Sequence, residues 1–80
     1  MTAVIQPLTS LQAGQKAVLV NICLPPEKRT RLEELGLVPG TPLELVRFAL
    51  LDDPLEIKVR GYHLTLHRQE ADQVQVHPET

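Results

Sequence analysis

The stretch Leu35–Val46, "LGLVPGTPLELV", decides the fold of this chain, because within it a helix ends, the chain turns and a strand begins. The segment before it, "PPEKRTRLEEL", is typical of a helix of about ten residues, since prolines suit the first turn of a helix. Gly36 then stands at the C′ position, where helices commonly end on a left-handed residue. Leu37 follows at C″ and is expected to pack against Leu32 in a Schellman closure.

A turn follows the helix directly. In Val38-Pro39-Gly40-Thr41, proline takes the second position and glycine the third, where a type II turn needs a positive φ. The chain is therefore expected to reverse and to enter a strand at "LELVRF". Gly36, Pro39 and Gly40 are therefore expected to shape the fold.

Five short runs predict β-strands with one apolar face. They are "KAVLVNI" before the helix and "LELVRF", "LEIKVR", "HLTLH" and "VQVH" after it. In "LELVRF" the apolar side changes after Leu45, which predicts a bulge or a strand that is apolar on both faces. Gly61 marks a tight connection, "ALLDDP" a longer loop, and "RQEADQ" about one helical turn.

Strands this short favour a small, partly open β-barrel, because a curled sheet hides both its edges and its apolar face. The fold class is thus mainly β with one inserted α-helix and a five-stranded, partly open barrel. Leu32 and Leu35 form a narrow apolar stripe that is expected to place the helix over one mouth of the barrel. We expect one domain over residues 1–80, with a core at about 7–77 and flexible ends.

The composition excludes several classes of function. The formal net charge is −2, with eight Lys and Arg against ten Asp and Glu, which is too few basic residues to predict a nucleic-acid partner. The single cysteine excludes an intrachain disulfide and a cysteine-based zinc cluster, and a reducing compartment fits it best. No signal peptide is evident, and no apolar run approaches the ~20 residues of a membrane span, so we expect a cytoplasmic protein.

Groups that could carry chemistry are sparse. Ser10 is the only serine, no phosphate-binding loop is present, and Cys23 is expected to pack as a small hydrophobe. His63 and His67 would lie about 13 Å apart on one strand, too far to share an ion, and His77 lies near an end expected to be frayed. The sequence therefore predicts no enzyme, no cofactor and no metal site.

A series of motifs in a fixed order covers nearly the whole chain. They are "L-x-x-L-x-x-G" (Leu8, Leu11, Gly14), "RL-x-x-LGL-x-PGT" (Arg31 to Thr41), Asp53-Pro54, "V-x-G-Y-x-L-x-L" (Val59 to Leu66) and Glu70-Ala71 before "V-x-V" (Val74, Val76). Together they resemble the FeoA family of small cytoplasmic proteins associated with bacterial ferrous iron uptake. The resemblance implies a Src-homology-3-like barrel with a helix after the first strand, and no catalytic residue.

The resemblance also implies a partner. FeoA proteins work with FeoB, the membrane iron permease that carries a cytoplasmic GTPase domain, so we expect binding to the cytoplasmic part of FeoB and localisation at the inner membrane only through it. The alternative is a detached protein-interaction barrel like the C-terminal domain of metal-dependent repressors. A weak homo-oligomer is a further expectation, because small barrels leave strand edges that can pair.

The residues expected to contact a partner are Leu50 and Leu51, because a loop between strands does not by itself bury its apolar side chains. The alternative is that one leucine folds back and plugs the barrel. Arg31, from the "RL" motif, and Tyr62 are additional candidates, and Arg31 could instead hold a structural hydrogen bond. Asp53, Pro54 and Gly61 are likewise expected to shape the fold. Where the family pattern reads "G-D-P" this chain has Asp52 first, a residue that tolerates a left-handed backbone.

Overall fold

A computed structural model of the protein describes residues 4–79 as one antiparallel sheet with two helices. The strands are β1 (Gln6–Pro7), β2 (Lys16–Ile22), β3 (Pro42–Phe48), β4 (Leu55–Val59), β5 (Tyr62–Leu66) and β6 (Val74–Pro78). The helices are α1 (Pro26–Glu34) and α2 (Arg68–Ala71), and 3-10 turns occupy Leu8–Ser10 and Leu50–Asp52. No helix within residues 4–79 has the length and apolar character needed to cross a membrane.

The sheet has six strands in the order β1-β6-β2-β3-β4-β5, one more than the sequence predicts. The additional strand, β1, is two residues long and contains Pro7, so it carries no alternating pattern. Proline is accepted there because β1 is an outer strand. The outer strands β1 and β5 do not pair with each other, which leaves the barrel open as predicted.

Paired strands reach close to both ends of the described residues. Gln6 pairs with Val76, and β6 continues to Pro78, so paired strands extend one residue past each predicted core limit of 7 and 77. His77, expected near a frayed end, lies in β6 opposite Val18, and its Nδ1 is 2.9 Å from the Val4 carbonyl oxygen. The expectation of flexible ends also covers residues 1–3 and 80, which lie outside the described residues.

The predicted helix stop is confirmed. The Leu37 N–H donates to the Leu32 carbonyl at 3.0 Å and the Gly36 N–H to the Glu33 carbonyl at 2.9 Å, which is the Schellman pattern. Gly36 has φ 101°, and both Leu32 and Leu37 are buried. The turn after it is also as predicted, because the Thr41 N–H donates to the Val38 carbonyl at 3.1 Å with Gly40 at φ 91°.

One of the two leucines of the predicted helical stripe reaches the core. Leu32 is buried, but Leu35, the other member of the predicted stripe, is 37% exposed. Leu35 is the C-cap residue, where the helix ends, and Leu37, beyond the closure, is buried in the core. A helical stripe therefore does not extend past the last helical turn.

The core lies on the inner face of the curled sheet. Leu55, Ile57 and Val59 of β4 are all buried, as their alternation predicts. The predicted bulge is present in β3, where Leu45 pairs with Ile57 and Arg47 with Glu56. Val46 is the extra residue, and it redirects the end of β3 and the loop that follows.

Candidate protein-interaction site

Two leucines project from the connection between β3 and β4. Leu50 is 89% exposed and Leu51 91% exposed, more than any other large hydrophobic residue described. The alternative in which one of them plugs the barrel is therefore wrong. Leu55 is buried and Phe48 packs against the core at this end of the sheet, so neither Leu50 nor Leu51 is needed there. We call Leu50 and Leu51 the leucine tip.

The backbone of the loop holds the leucine tip outward. Leu51 (φ 72°) and Asp52 (φ 62°) both have left-handed conformations, which cost a residue with a Cβ roughly 1–2 kcal/mol. Asp52 thus keeps the left-handed backbone where the family pattern has glycine. Strain of this kind persists where surrounding contacts enforce it, and it concentrates at functional sites.

Backbone hydrogen bonds close the loop at its base. The Ala49 N–H donates to the Pro54 carbonyl at 2.8 Å, and the Asp52 N–H donates to the Ala49 carbonyl at 2.8 Å. The Asp53–Pro54 peptide bond is cis. Asp53 and Pro54, which the sequence assigns to architecture, therefore lie in the segment that carries the leucine tip.

Helix α2 holds the loop from the side. The Asp53 carboxylate accepts a hydrogen bond from the Arg68 backbone N–H at 3.0 Å, which satisfies a free donor at the start of α2. The Arg68 guanidinium donates to the Asp52 carbonyl at 3.4 Å and lies 5.8 Å from the centre of the Phe48 ring, within range of a cation–π contact. Sequence reasoning missed Arg68, because nothing near it in the chain indicates a contact with a distant loop.

A shallow depression of about 400 Å³ lies beside the leucine tip. Its lining combines apolar Phe48, Leu50 and Pro54 with charged Arg47 and Glu56. An apolar projection next to a mixed polar and apolar depression is a surface suited to another protein, since interfaces combine a hydrophobic centre with a polar rim.

One carboxylate, that of Glu56, contacts the basic side chains at this depression. Glu56 accepts a hydrogen bond from Arg47 Nε at 2.9 Å with one oxygen, and its other oxygen contacts His63 Nδ1. The His63 hydrogen bond, followed by that of Arg47, lowers the pKa of Glu56 below its ordinary 4.5. Both carboxylate oxygens are engaged, so Glu56 is a poor candidate for a general base or a metal ligand.

Arg31 and Tyr62 lie away from the leucine tip. Tyr62 pairs with Val59 at the turn end of the β4–β5 hairpin, and its hydroxyl donates to the Leu35 carbonyl. Arg31 is in the last turn of α1, the end that Tyr62 contacts, and its side chain makes no hydrogen bond to any residue in 4–79. The structural hydrogen bond considered for Arg31 is therefore not found there. The architectural Gly61 (φ 85°) forms the tight turn with Arg60.

The three histidines lie beside three different residues. Within residues 4–79, no three His, Cys, Asp or Glu side chains are grouped so as to hold a metal ion. His63 contacts Glu56, while His67 occupies the N-cap position of α2, beyond β5, with Nδ1 3.6 Å from Asp53 Oδ1. Cys23 is exposed, contrary to the prediction, because it follows buried Ile22 and points to the opposite side.

Comparison with known proteins gives consistent matches. The family model of the FeoA domain matches residues 6–78. A curated relative, the "Fe(2+) transport protein A/Fe(2+) transporter FeoB fusion protein" of Porphyromonas gingivalis, is 32% identical over 69 residues. Those residues are 86% of this chain but only 8% of the relative's length.

Solved structures show the same fold. The solution structure of a FeoA protein from Chlorobium tepidum matches with a TM-score of 0.90 at 40% identity, over 94% of this chain and 71% of that one. A zinc complex of Stenotrophomonas maltophilia FeoA, described as a prokaryotic SH3 domain protein, matches with a TM-score of 0.75 at 28% identity, over 89% and 88% of the two chains. The open barrel is therefore of the Src-homology-3-like type.

A manganese-dependent transcriptional repressor also matches, with a TM-score of 0.87 over 99% of this chain and 44% of that one. Its identity of 12% shows a shared fold alone.

Proposed function

The chain belongs to the FeoA domain family, and from that premise we propose that it is a small accessory protein of bacterial ferrous iron uptake. It binds the cytoplasmic, GTPase-bearing part of an FeoB-type transporter and modulates transport by protein contact. The observation that carries this proposal is the leucine tip, at 89% and 91% exposure on a loop held by α2.

Burial of the leucine tip would supply the binding energy. Covering a leucine side chain contributes about 1.5–3 kcal/mol relative to leaving it in water. The hydrogen bonds of Ala49, Asp52 and Asp53 already order the loop, so little conformational entropy is lost when a partner docks. A solvent-exposed leucine pair on an ordered loop thus suits a specific protein contact.

The choice of partner is supported by the relative from Porphyromonas gingivalis, whose name joins a transport protein A and an FeoB transporter in one fusion protein. In our proposal this chain associates with a separate FeoB polypeptide, whereas the fusion protein joins the two parts in one chain. It works in the cytoplasm and reaches the inner membrane through its partner. Arg31, exposed on α1, is a secondary contact, and the exposed part of the Tyr62 ring lies at the same end.

Binding to the full-length transporter tests the proposal. Purified protein is titrated against the FeoB of the same bacterium in detergent, without nucleotide, with GDP and with a non-hydrolysable GTP analogue. We expect binding in at least one nucleotide state, and at least about a tenfold loss of affinity for Leu50→Asp with Leu51→Asp. Absence of binding in every state would refute the partner.

A matched control separates the leucine tip from general surface hydrophobicity. Val4 and Ile5 are another adjacent exposed apolar pair, at 57% and 52% exposure, on the N-terminal segment. Val4→Asp with Ile5→Asp makes the same change of charge and should leave the affinity unchanged. An equal loss in both double variants would reject the leucine tip as the site, and circular dichroism checks that each variant is folded.

The repressor-like alternative is supported by fold alone, at 12% identity. The leucine tip would serve either partner. Binding of FeoB that is sensitive to the leucine tip favours the transport function, and therefore the same titration distinguishes the two.

A further inference from the structure

Strand β5 forms an open edge of the sheet. It pairs only with β4, and no other strand within residues 4–79 lies on its far side. An outer strand presents backbone N–H and C=O groups that another strand can pair with.

The turn at Arg60-Gly61 determines which groups face outward. Both residues have positive φ, at 52° and 85°, as a two-residue type I′ hairpin requires. Val59 and Tyr62 flank this turn and form a hydrogen-bonded pair, and such pairs alternate along an antiparallel ladder. His63 and Thr65 therefore direct their N–H and C=O groups away from β4, and no backbone or side-chain hydrogen bond from the described residues reaches those groups.

This edge lacks the features that usually prevent strands from pairing. β5 contains no proline, lysine, aspartate or glutamate, and its register with β4 shows no bulge. Its one histidine, His63, contacts Glu56 of its own chain. Natural edges are commonly protected by charges, proline or bulges, so an edge without them is available for pairing.

We propose that two copies of this protein pair antiparallel through β5, about a two-fold axis at Leu64. Because His63 and Thr65 are equally spaced on either side of Leu64, His63 of one copy lies opposite Thr65 of the other. Both residues face outward, so each pair exchanges N–H···O bonds in both directions. This proposal is independent of the proposed function.

The side chains fit a second copy. Leu64, which is half-buried, meets Leu64 of the other copy, while Tyr62, which is 41% exposed, lies opposite Leu66, which is buried in its own core and adds little contact. Within β5, His63 faces uncharged Thr65, so no like charges oppose each other between the paired strand residues. A five-residue strand makes an interface below ~1,200 Å², and association is therefore weak and concentration-dependent.

Sedimentation and amide exchange of the full chain test this pairing. From about 10 µM to about 1 mM, the mean mass should rise toward that of a dimer, as expected for a small interface. Hydrogen exchange of the His63 and Thr65 amides should slow by about tenfold over the same range, while that of Leu64 stays slow throughout. A monomer at every concentration, or a dimer whose His63 and Thr65 amides exchange as fast as in dilute solution, would overturn the proposal.

Paired variants add a second measurement. Thr65→Lys places a charge at the edge and should abolish the rise in mass, whereas Thr30→Lys makes the same change on exposed α1 and should preserve it. An unchanged dimer in Thr65→Lys would overturn the proposal. Protection of the His63 and Thr65 amides only after addition of FeoB, in a complex with one copy, would also overturn it and would assign the edge to a strand of the partner.

Discussion

The Tyr62 hydroxyl donates a hydrogen bond to the Leu35 carbonyl, which joins the β4–β5 hairpin to the end of α1 across 27 residues of sequence. Arg60 Nε donates to the next carbonyl, that of Gly36, at 3.4 Å. Leu35 is the C-cap residue of α1, so its carbonyl has no partner within the helix and the Tyr62 hydroxyl supplies one, while Arg60 contacts the residue just beyond the cap. This pair of contacts fixes α1 against the barrel at the end opposite the leucine tip.

Removing the Tyr62 hydroxyl should weaken this attachment. Tyr62→Phe retains the ring and deletes the donor, so the free energy of unfolding should fall by about 0.5–1.5 kcal/mol. Urea denaturation followed by circular dichroism measures the change. An unchanged midpoint would show that water satisfies the Leu35 carbonyl equally well.

Gly36 and Gly40 should respond differently to alanine. Both have positive φ, at 101° and 91°, so each Gly→Ala change carries a backbone cost of about 1 kcal/mol. A Cβ at Gly36 would also lie 2.9 Å from the Tyr62 hydroxyl oxygen and 3.2 Å from Arg60 Cδ, while Gly40 has open space. Thermal unfolding should therefore show a larger loss of stability for Gly36→Ala than for Gly40→Ala, and equal losses would contradict the close contact.

Replacing Leu51 with glycine should raise the stability of the fold and weaken binding to the partner. Leu51→Gly relieves the left-handed conformation of a leucine at φ 72° and should raise the free energy of unfolding by up to about 1 kcal/mol. The same change removes half of the leucine tip and should weaken FeoB binding. Leu50→Gly is the matched control, because Leu50 does not have a positive φ and should gain no stability. A loss of stability in Leu51→Gly would show that its side chain contributes to the fold.

Glu56 should make stability depend on acid pH. Hydrogen bonds from His63 and then Arg47 lower its pKa below 4.5, so the charged form is favoured in the folded state. This contribution is fully present above the ordinary pKa of glutamate and is lost as pH falls through the lowered folded value. Urea unfolding across that acid range should show a flatter pH dependence for Glu56→Gln than for the wild type.

The control for Glu56 is Glu44→Gln, which removes the same charge from β3 without removing a hydrogen bond to Arg47 or His63. Its pH dependence should stay closer to that of the wild type. In an NMR titration, His63→Gln and Arg47→Gln should each raise the pKa of Glu56, because the hydrogen bonds of both side chains lower it.

Local features could be predicted because their causes are local. The Leu32–Leu37 closure, the Val38–Thr41 turn and the Leu45–Arg47 bulge each involve residues within about six positions, so propensity and alternation suffice. Predictions were wrong for residues at the ends of elements. Leu35 lies at the C-cap of α1 and is partly exposed, and Cys23 follows the end of β2 and is exposed.

The sequence by itself therefore determined the strands β2 to β6, the helix stop, the open barrel and the family. Only the tertiary structure decided that Leu50 and Leu51 both face solvent, because that depends on Phe48 and Leu55 already filling the end of the core. The same holds for the bond from Arg68 to Asp53, 15 residues apart, and for that from Tyr62 to Leu35. Contacts between distant residues depend on where the whole chain packs, and no short pattern contains that information.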